Sequence, residues 1–191
     1  CLIGKALLHS VHKKGAHGFG SLVRGTASIT LHHNLWLDNV ARNPRLGDNY
    51  NKPPWPVIDV RNNVMYNWGK MCSGMTGGNI SVNYVGNYLK PGPESSNTRP
   101  IVLTKTSHVK FYLAGNIVEG RSHHTAHPDS MFEDGGDRSL YQVMNKPFEV
   151  PAVKTSSPEQ AYKDVLLHVG ANKPVRDKID ESLVREVETH T

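Results

Sequence analysis

The chain has 191 residues, of which 37% are hydrophobic and 20% charged. This composition is typical of one folded domain with its own core and argues against a disordered chain, and no apolar run approaches the ~20 residues that span a membrane. The 22 Lys and Arg exceed the 17 Asp and Glu, so the formal charge of +5 permits an anionic partner without identifying one. Two cysteines are too few for a disulfide scaffold.

A weak internal repeat is the most informative feature of the sequence. Each copy reads apolar, any, apolar, any, any, Asn, apolar, and successive asparagines lie 29, 24 and 29 residues apart. Alternating apolar residues indicate strands with one buried face, and a period of this length indicates a solenoid. We therefore predict an all-β fold, a right-handed parallel β-helix. The copies are residues 29–35, 58–64, 82–88 and 111–117, and the shared position is occupied by Asn34, Asn63, Asn87 and Asn116.

The repeated asparagine has a physical reason in such a fold. Rungs of a β-helix stack about 4.8 Å apart, so each side-chain amide can donate to the asparagine of the next rung. A buried amide without a partner costs roughly 1–3 kcal/mol. The alternative is that four asparagines occur in turns by chance. The shared apolar flanks favour a single stacked column.

The C-terminal part of the chain changes character near Val150, so we predict a β-helix over residues 1–150 and a short helical tail over residues 151–191. Ser157 and Pro158 are typical of a helix start, and Gly170 of the position just after a helix end. A second helical stretch is predicted from Ile179 to Val187. The tail would pack on the end or the side of the solenoid. Residues 121–149 are interpreted as irregular loop.

A family resemblance appears in the segment Leu31–Leu46, which carries His32-His33-Asn34 on a predicted strand followed by Arg42-Asn43-Pro44. This combination resembles the signature of the pectate lyases of polysaccharide lyase family one. The family fold is the right-handed parallel β-helix that the repeat also predicts. Other stretches resemble bacterial members, so the similarity extends over nearly the whole chain: His9–Gly20, Asp59–Gly69, Asn87–Pro93 and Val169–Asp177.

The resemblance implies cleavage of polygalacturonate by β-elimination and assigns roles to three cations. The arginine of the Arg-x-Pro motif, here Arg42, is the family's catalytic base and removes the C5 proton of a galacturonate unit. The lysine before the glycine of the upstream loop, here Lys14, binds a substrate carboxylate. Many relatives carry a second arginine in the pattern Arg-x-Pro-x-x-Arg, where this chain has Gly47. Arg45 is predicted to bind substrate in its place.

The spacing of these residues supports a shared site. Lys14 and Arg42 are 28 residues apart, close to the 29 between Asn34 and Asn63, so Lys14 should lie about one rung from Arg42. Both would then face one groove, as binding of a polymeric anion requires. Lys70 follows at the same interval, and we interpret it as a solvated loop charge.

Calcium is the cofactor that the resemblance implies for the complete protein. Its ligands in the family are acidic residues on rungs before the upstream loop, and no acidic residue precedes Lys14. We assign no metal ligand in this chain and expect the ligands before residue 1. Nothing before Leu2 could cap a first rung, so we expect N-terminal rungs to be missing. We therefore expect residues 1–191 alone to have little or no lyase activity. The other acids considered are Asp38, Asp48, Asp59, Asp134 and Asp137.

Two alternative functions remain open. A polygalacturonase-type hydrolase on the same fold would need paired carboxylates at the scissile bond, and the Asp-Asp and Asn-Thr-Asp motifs are missing. A non-catalytic polysaccharide-binding or adhesin module would not need the Arg-x-Pro motif. His123, His124 and His127 have a spacing that a metal could use, but surface loop histidines are the favoured interpretation. We expect a secreted or periplasmic monomer that binds pectin or polygalacturonate, and neither nucleic acid nor a membrane.

Overall fold

The computed structural model describes residues 1–95, 100–104, 108–132 and 137–190. All strand pairs within its three sheets are parallel, which confirms the all-β parallel β-helix. Each rung contributes one strand to each sheet in turn. In chain order the strands are β1 (Leu2–Gly4), β2 (Leu22–Gly25), β3 (Ile29–His32), β4 (Leu35–Leu37), β5 (Arg45–Asp48), β6 (Val57–Arg61), β7 (Val64–Tyr66), β8 (Ser73–Thr76), β9 (Asn79–Val85), β10 (Tyr88–Lys90), β11 (Ile101–Leu103), β12 (His108–Ala114), β13 (Ile117–Val118) and β14 (Tyr141–Val143).

The order of strands within the sheets follows from the repeat. The first sheet has the order β1-β4-β7-β10-β13, the second β11-β8-β5-β2, and the third β14-β12-β9-β6-β3. Neighbouring strands in a sheet are therefore three strands apart in the chain and belong to successive rungs. Alternate side chains point into the solenoid, where apolar residues from all three sheets form the core. In β4, for example, Trp36 points inward and its neighbours point outward.

The predicted asparagine column is present. The Nδ2 of Asn34 donates to Oδ1 of Asn63 at 2.9 Å, Asn63 to Asn87 at 3.1 Å, and Asn87 to Asn116 at 3.0 Å. Each accepting Oδ1 also receives the backbone N–H of the asparagine one rung earlier. The column lies at the bend between the third and first sheets and holds successive rungs in register.

The helical tail packs on the side of the solenoid. Helix α2 spans Pro158–His168, and the Ser157 hydroxyl accepts the Gln160 N–H at 3.2 Å, as the N-cap assignment predicts. Helix α3 spans Lys178–Thr189, slightly longer than predicted, with Asp177 as its N-cap. Apolar residues of both helices cover the outer face of the first sheet. None of the helices in the described ranges has the length and apolar character needed to cross a membrane.

The prediction of irregular loop over residues 121–149 is wrong in part. A one-turn helix, α1, spans Ser122–Ala126, and strand β14 at Tyr141–Val143 adds a further parallel strand beside β12. The ring centroid of Phe132 lies 4.9 Å from that of Phe111 and 4.1 Å from that of Tyr141. These rings extend the apolar core to β14. A strand of three residues is too short to show a periodicity that sequence reasoning could detect.

Candidate active site

The turns that lead from the first sheet to the second form one corner of the solenoid. Lys14, Arg42 and Lys70 lie in three successive turns of this corner, as their spacing predicts. Backbone hydrogen bonds tie the turns together, since the Ser21 N–H donates to the Arg42 carbonyl at 2.8 Å and the Lys70 N–H to the Val40 carbonyl at 2.7 Å. The side chains of Lys14 and Lys70 are exposed. The turns are residues 5–21, 38–44 and 67–72.

Arg42 is held in an unusual conformation and is free to bind an anion. Its φ is 67°, in the left-handed region that non-glycine residues rarely adopt. Its guanidinium carbon lies 4.2 Å from the ring centroid of Phe19, in cation–π contact. Among the described residues, this guanidinium has no ion pair and no hydrogen bond. Strained backbone and an unpaired charge are both typical of functional positions.

A stack of rings connects Arg42 to the loop that carries Lys14. The ring of His12 lies 3.9 Å from that of His17, and the ring of His17 lies 4.9 Å from that of Phe19, measured between centroids. The Lys14 N–H donates to Nδ1 of His12 at 3.2 Å. The stack therefore orients both the loop and the arginine. Sequence reasoning missed these three residues because their contact depends on how residues 5–21 fold back on themselves.

Arg45 and Arg24 extend the positive charge over the second sheet. The Nη2 of Arg45 donates to Oγ1 of Thr76 at 2.9 Å, across the strand position of Gly47. Burial, together with the positive charges of Arg42 and Arg24, lowers the pKa of Arg45. We call Arg24, Arg42 and Arg45 the cationic cluster. The sequence gives no sign of Arg24, which joins the cluster only through strand register.

Gly47 lies where the resemblance would place a second arginine, and the structure leaves no room there for a side chain. It stands in register with Arg24 on β2 and Thr76 on β8. A Cβ at this position would lie 2.5 Å from the Thr76 carbonyl oxygen and 3.0 Å from its Cγ2. Any side chain here would therefore require the backbone to shift. The neighbouring Arg45 and Arg24 supply positive charge around this position.

The carboxylates near these sheets do not fit a calcium site. Asp48 and Asp59 are fully buried, and each is paired with an arginine, at 3.2 Å from Arg24 and 2.8 Å from Arg61. Asp38 is paired with a lysine at 3.0 Å, and Asp137 accepts the Ser139 N–H as a cap. Asp134 lies outside the described residues. Within the described ranges no three His, Cys, Asp or Glu side chains are grouped as a metal site would require. We therefore derive no catalytic step through a metal ion.

The histidines of α1 are not all surface residues. His124 is only 6% exposed, and its Nδ1 lies 2.8 Å from Oγ of Ser130. Burial is the main cause that lowers its pKa to about 4, with the charges of His123 and Arg121 adding to it. The interpretation as surface loop histidines is thus wrong for His124, because its helix turns back onto β13. His123 and His127 are exposed.

A cavity of about 950 Å³ lies away from the cationic cluster, between the bend after β3 and helix α2. Its polar lining includes His32, His33, Asp164 and His168. No member of the cationic cluster lines it. The chemistry of the cluster, rather than the volume of this cavity, therefore identifies the candidate site.

Comparison with known proteins finds relatives that share one name. No protein-family model matches the chain. The chain is 30% identical over 178 residues to a probable pectate lyase C of Aspergillus flavus, 31% over 186 residues to one of Aspergillus fumigatus, and 27% over 172 residues to one of Emericella nidulans. These matches cover 91%, 91% and 90% of this chain. The chain spans about 40% of the length of the curated relatives it matches.

Proposed function

We propose that this chain carries the catalytic arginine and the adjoining substrate-binding cations of a pectate lyase, and that the whole protein cleaves α-1,4-linked polygalacturonate by β-elimination. The observation that carries the proposal is Arg42, unpaired and strained at the corner of a parallel β-helix beside Arg45. The relatives named probable pectate lyase C support the same activity. Assignment to polysaccharide lyase family one, bacterial type, is part of the proposal and is supported by the Arg-x-Pro motif and its surroundings.

The proposed reaction needs a base at C5 and positive charge at the neighbouring carboxylates. Arg42 in its neutral form takes the C5 proton and becomes the guanidinium cation, the C5–H electron pair forms the C4–C5 double bond, and the C4–O bond breaks with its electrons leaving on oxygen, which then takes a proton from solvent. Lys14 and Arg45 bind carboxylates of the polymer. Charge that develops as the proton leaves spreads into the C5 carboxylate, so a cation held there stabilises the transition state. The products are 4,5-unsaturated oligogalacturonides.

The partner that this arrangement favours is an acidic polysaccharide, polygalacturonate or pectin. Arg42 and Arg45 have no carboxylate partner in the described part of the chain, and Lys14 extends the positive charge along the same corner. Lys14 and Arg42 lie in successive turns and Arg45 follows Arg42 on the same rung, so several cations are available to a polymer with one carboxylate per sugar unit. A secreted or periplasmic monomer that requires calcium for activity is included in the proposal.

Absorbance near 235 nm on polygalacturonate tests the function directly, because only elimination creates a conjugated double bond. The assay should be run on residues 1–191 and on any longer natural chain that contains them, each with calcium and with a chelator. We expect little or no activity from residues 1–191 alone and chelator-sensitive activity from a longer chain. Reducing ends released without 235 nm absorbance would indicate a hydrolase, and binding without either product a non-catalytic module. Either result would overturn the proposal.

A further inference from the structure

An exposed aromatic side chain stands on a strained turn directly after β5. Residues 49–52 form a tight turn in which the Lys52 N–H donates to the Asn49 carbonyl at 3.1 Å. Both central residues have positive φ, 53° at Tyr50 and 63° at Asn51. Turns of this kind usually carry Asn-Gly or Asp-Gly, because a bulky residue in the left-handed region is strained. Tyr50 is nevertheless 68% exposed, so burial of its ring does not offset the strain.

The ion pair between Arg24 and Asp48 supports the base of this turn. Both Oδ atoms of Asp48 accept the Asn51 N–H at 3.2 Å. Arg24 donates from Nε to the Asp48 carbonyl at 2.7 Å and from Nη2 to Asp48 Oδ1 at 3.2 Å. The Asp48 side chain is completely buried. The backbone at the base of the turn is therefore fixed by charge-assisted hydrogen bonds, which are stronger than neutral ones.

The same arginine also holds the Tyr50 ring. The guanidinium carbon of Arg24 lies 3.8 Å from the ring centroid, so one face of the ring rests on a fixed cation. The rest of the ring is open to solvent. Arg24 uses Nε and Nη2 for Asp48, and its Nη1 has no hydrogen bond within the described ranges. Arg24 belongs to the cationic cluster, since its charge lowers the pKa of Arg45.

We propose that Tyr50, held in place by Arg24, forms a binding subsite for one uronic acid unit of the polymer, in which the sugar stacks on the open face of the Tyr50 ring while Arg24 positions the ring from its other face. This inference rests on the proposed function. An aromatic ring offers a flat apolar surface to the C–H face of a sugar and loses little conformational freedom on binding. The Asp48 pair fixes both groups in advance of binding, which lowers the ordering cost. The strain at Tyr50 then has a functional reason.

Substitution of Tyr50 by asparagine separates binding from folding. Asparagine suits the left-handed region, so Tyr50→Asn should unfold at the same temperature as the wild type or higher while losing the ring. We expect it to weaken the affinity for hexagalacturonate about tenfold, the scale of one well-stacked ring contact. Tyr50→Phe keeps the ring and should bind within about twofold of the wild type. Tyr112→Asn, at a half-buried tyrosine of the third sheet, is the matched control and should bind like the wild type.

Kd is measured by calorimetry on residues 1–191, and KM and kcat by the absorbance of the unsaturated product in the longest active natural chain. We expect KM and Kd to rise more than kcat falls. Wild-type affinity in Tyr50→Asn would overturn the subsite and leave the proposed function intact. Loss of affinity in Tyr50→Phe equal to that in Tyr50→Asn would also overturn it, since the ring would not be the binding element. A wild type that neither binds nor cleaves the polymer would overturn both proposals.

Discussion

The arginines on this solenoid differ in what their guanidinium groups already bind. Arg24 and Arg61 are each paired with a buried aspartate, so much of their positive charge is balanced inside the protein. The Arg42 guanidinium stacks on the Phe19 ring and has no ion pair with a described residue, and Arg45 donates to the Thr76 hydroxyl. An unpaired guanidinium carries its full charge toward a ligand, whereas a paired one is largely neutralised. This contrast favours Arg42 and Arg45 as the residues that bind an anionic substrate.

Replacement of Arg42 by lysine is predicted to lower kcat by at least about 10²-fold, the low end for loss of a general base, with a much smaller change in KM. Lysine keeps the charge but loses the planar group that stacks on Phe19 and changes the intrinsic basicity. Steady-state kinetics on polygalacturonate at 235 nm, in the longest active natural chain, measure the effect. A near-normal kcat would assign the base to another residue.

The control for this substitution is Arg138→Lys, at an arginine whose side chain is 70% exposed and paired with Asp129 near the other end of the solenoid. It should leave both constants unchanged. Lys14→Ala should differ from both, raising KM as well as lowering kcat, because it removes a carboxylate contact made already by the bound substrate.

Among the repeated elements, the asparagine column stabilises the register of successive rungs. The Nδ2 of Asn87 donates to Oδ1 of Asn116 at 3.0 Å and to the Val60 carbonyl at 2.9 Å, and its Oδ1 accepts two N–H groups of Asn63. Asn87 is completely buried. Both polar atoms of this side chain therefore have protein partners in place of the water that they bind in the unfolded chain.

Asn87→Ala is predicted to lower the free energy of unfolding by about 3 kcal/mol, because the Asn63 backbone N–H loses its acceptor in the core, and Asn63 Nδ2, the Val60 carbonyl and Asn116 Oδ1 each lose one partner. Urea-induced unfolding followed by circular dichroism measures the change. Asn79→Ala, at an exposed asparagine of β9, is the control and should stay within about 0.5 kcal/mol of the wild type. A loss as small as that of the control would show that the column does not contribute to stability.

At the scale of the whole molecule, two apolar clusters lie on either side of the first sheet. The inner cluster fills the solenoid, and the outer one joins Leu35, Leu37 and Val64 to apolar residues of α2 and α3. Without the helices, this outer face would be a continuous apolar patch in water, which soluble proteins rarely expose. The tail is thus an integral part of the fold rather than an appendage.

Leu166→Ala is predicted to destabilise the docking of the tail by about 2–5 kcal/mol, since Leu166 is 5% exposed and packs into the outer cluster. Amide hydrogen exchange should show faster opening of α2 and α3 than of the rungs beneath them. The adjacent Leu167 is 66% exposed, so Leu167→Ala should leave exchange unchanged. Equal effects of the two substitutions would contradict this packing of the tail.

The sequence by itself determined the features that depend on local pattern. Alternating apolar residues before a recurring asparagine predicted parallel rungs and the column of Asn34 to Asn116, and Ser157 predicted the start of α2. Rungs of a solenoid stack at a nearly constant distance, so residues about one period apart must lie in neighbouring turns. For this reason Lys14 could be placed one turn from Arg42.

Only the tertiary structure decided which charges are free and what holds them. The contact of Phe19 with Arg42, the entry of Arg24 into the cationic cluster and the exposed ring of Tyr50 all join residues from different turns or strands. Loops between rungs vary in length and conformation, so their side-chain contacts have no period in the sequence. The pairing of an arginine with a buried aspartate likewise depends on strand register and burial, which a single sequence does not encode locally.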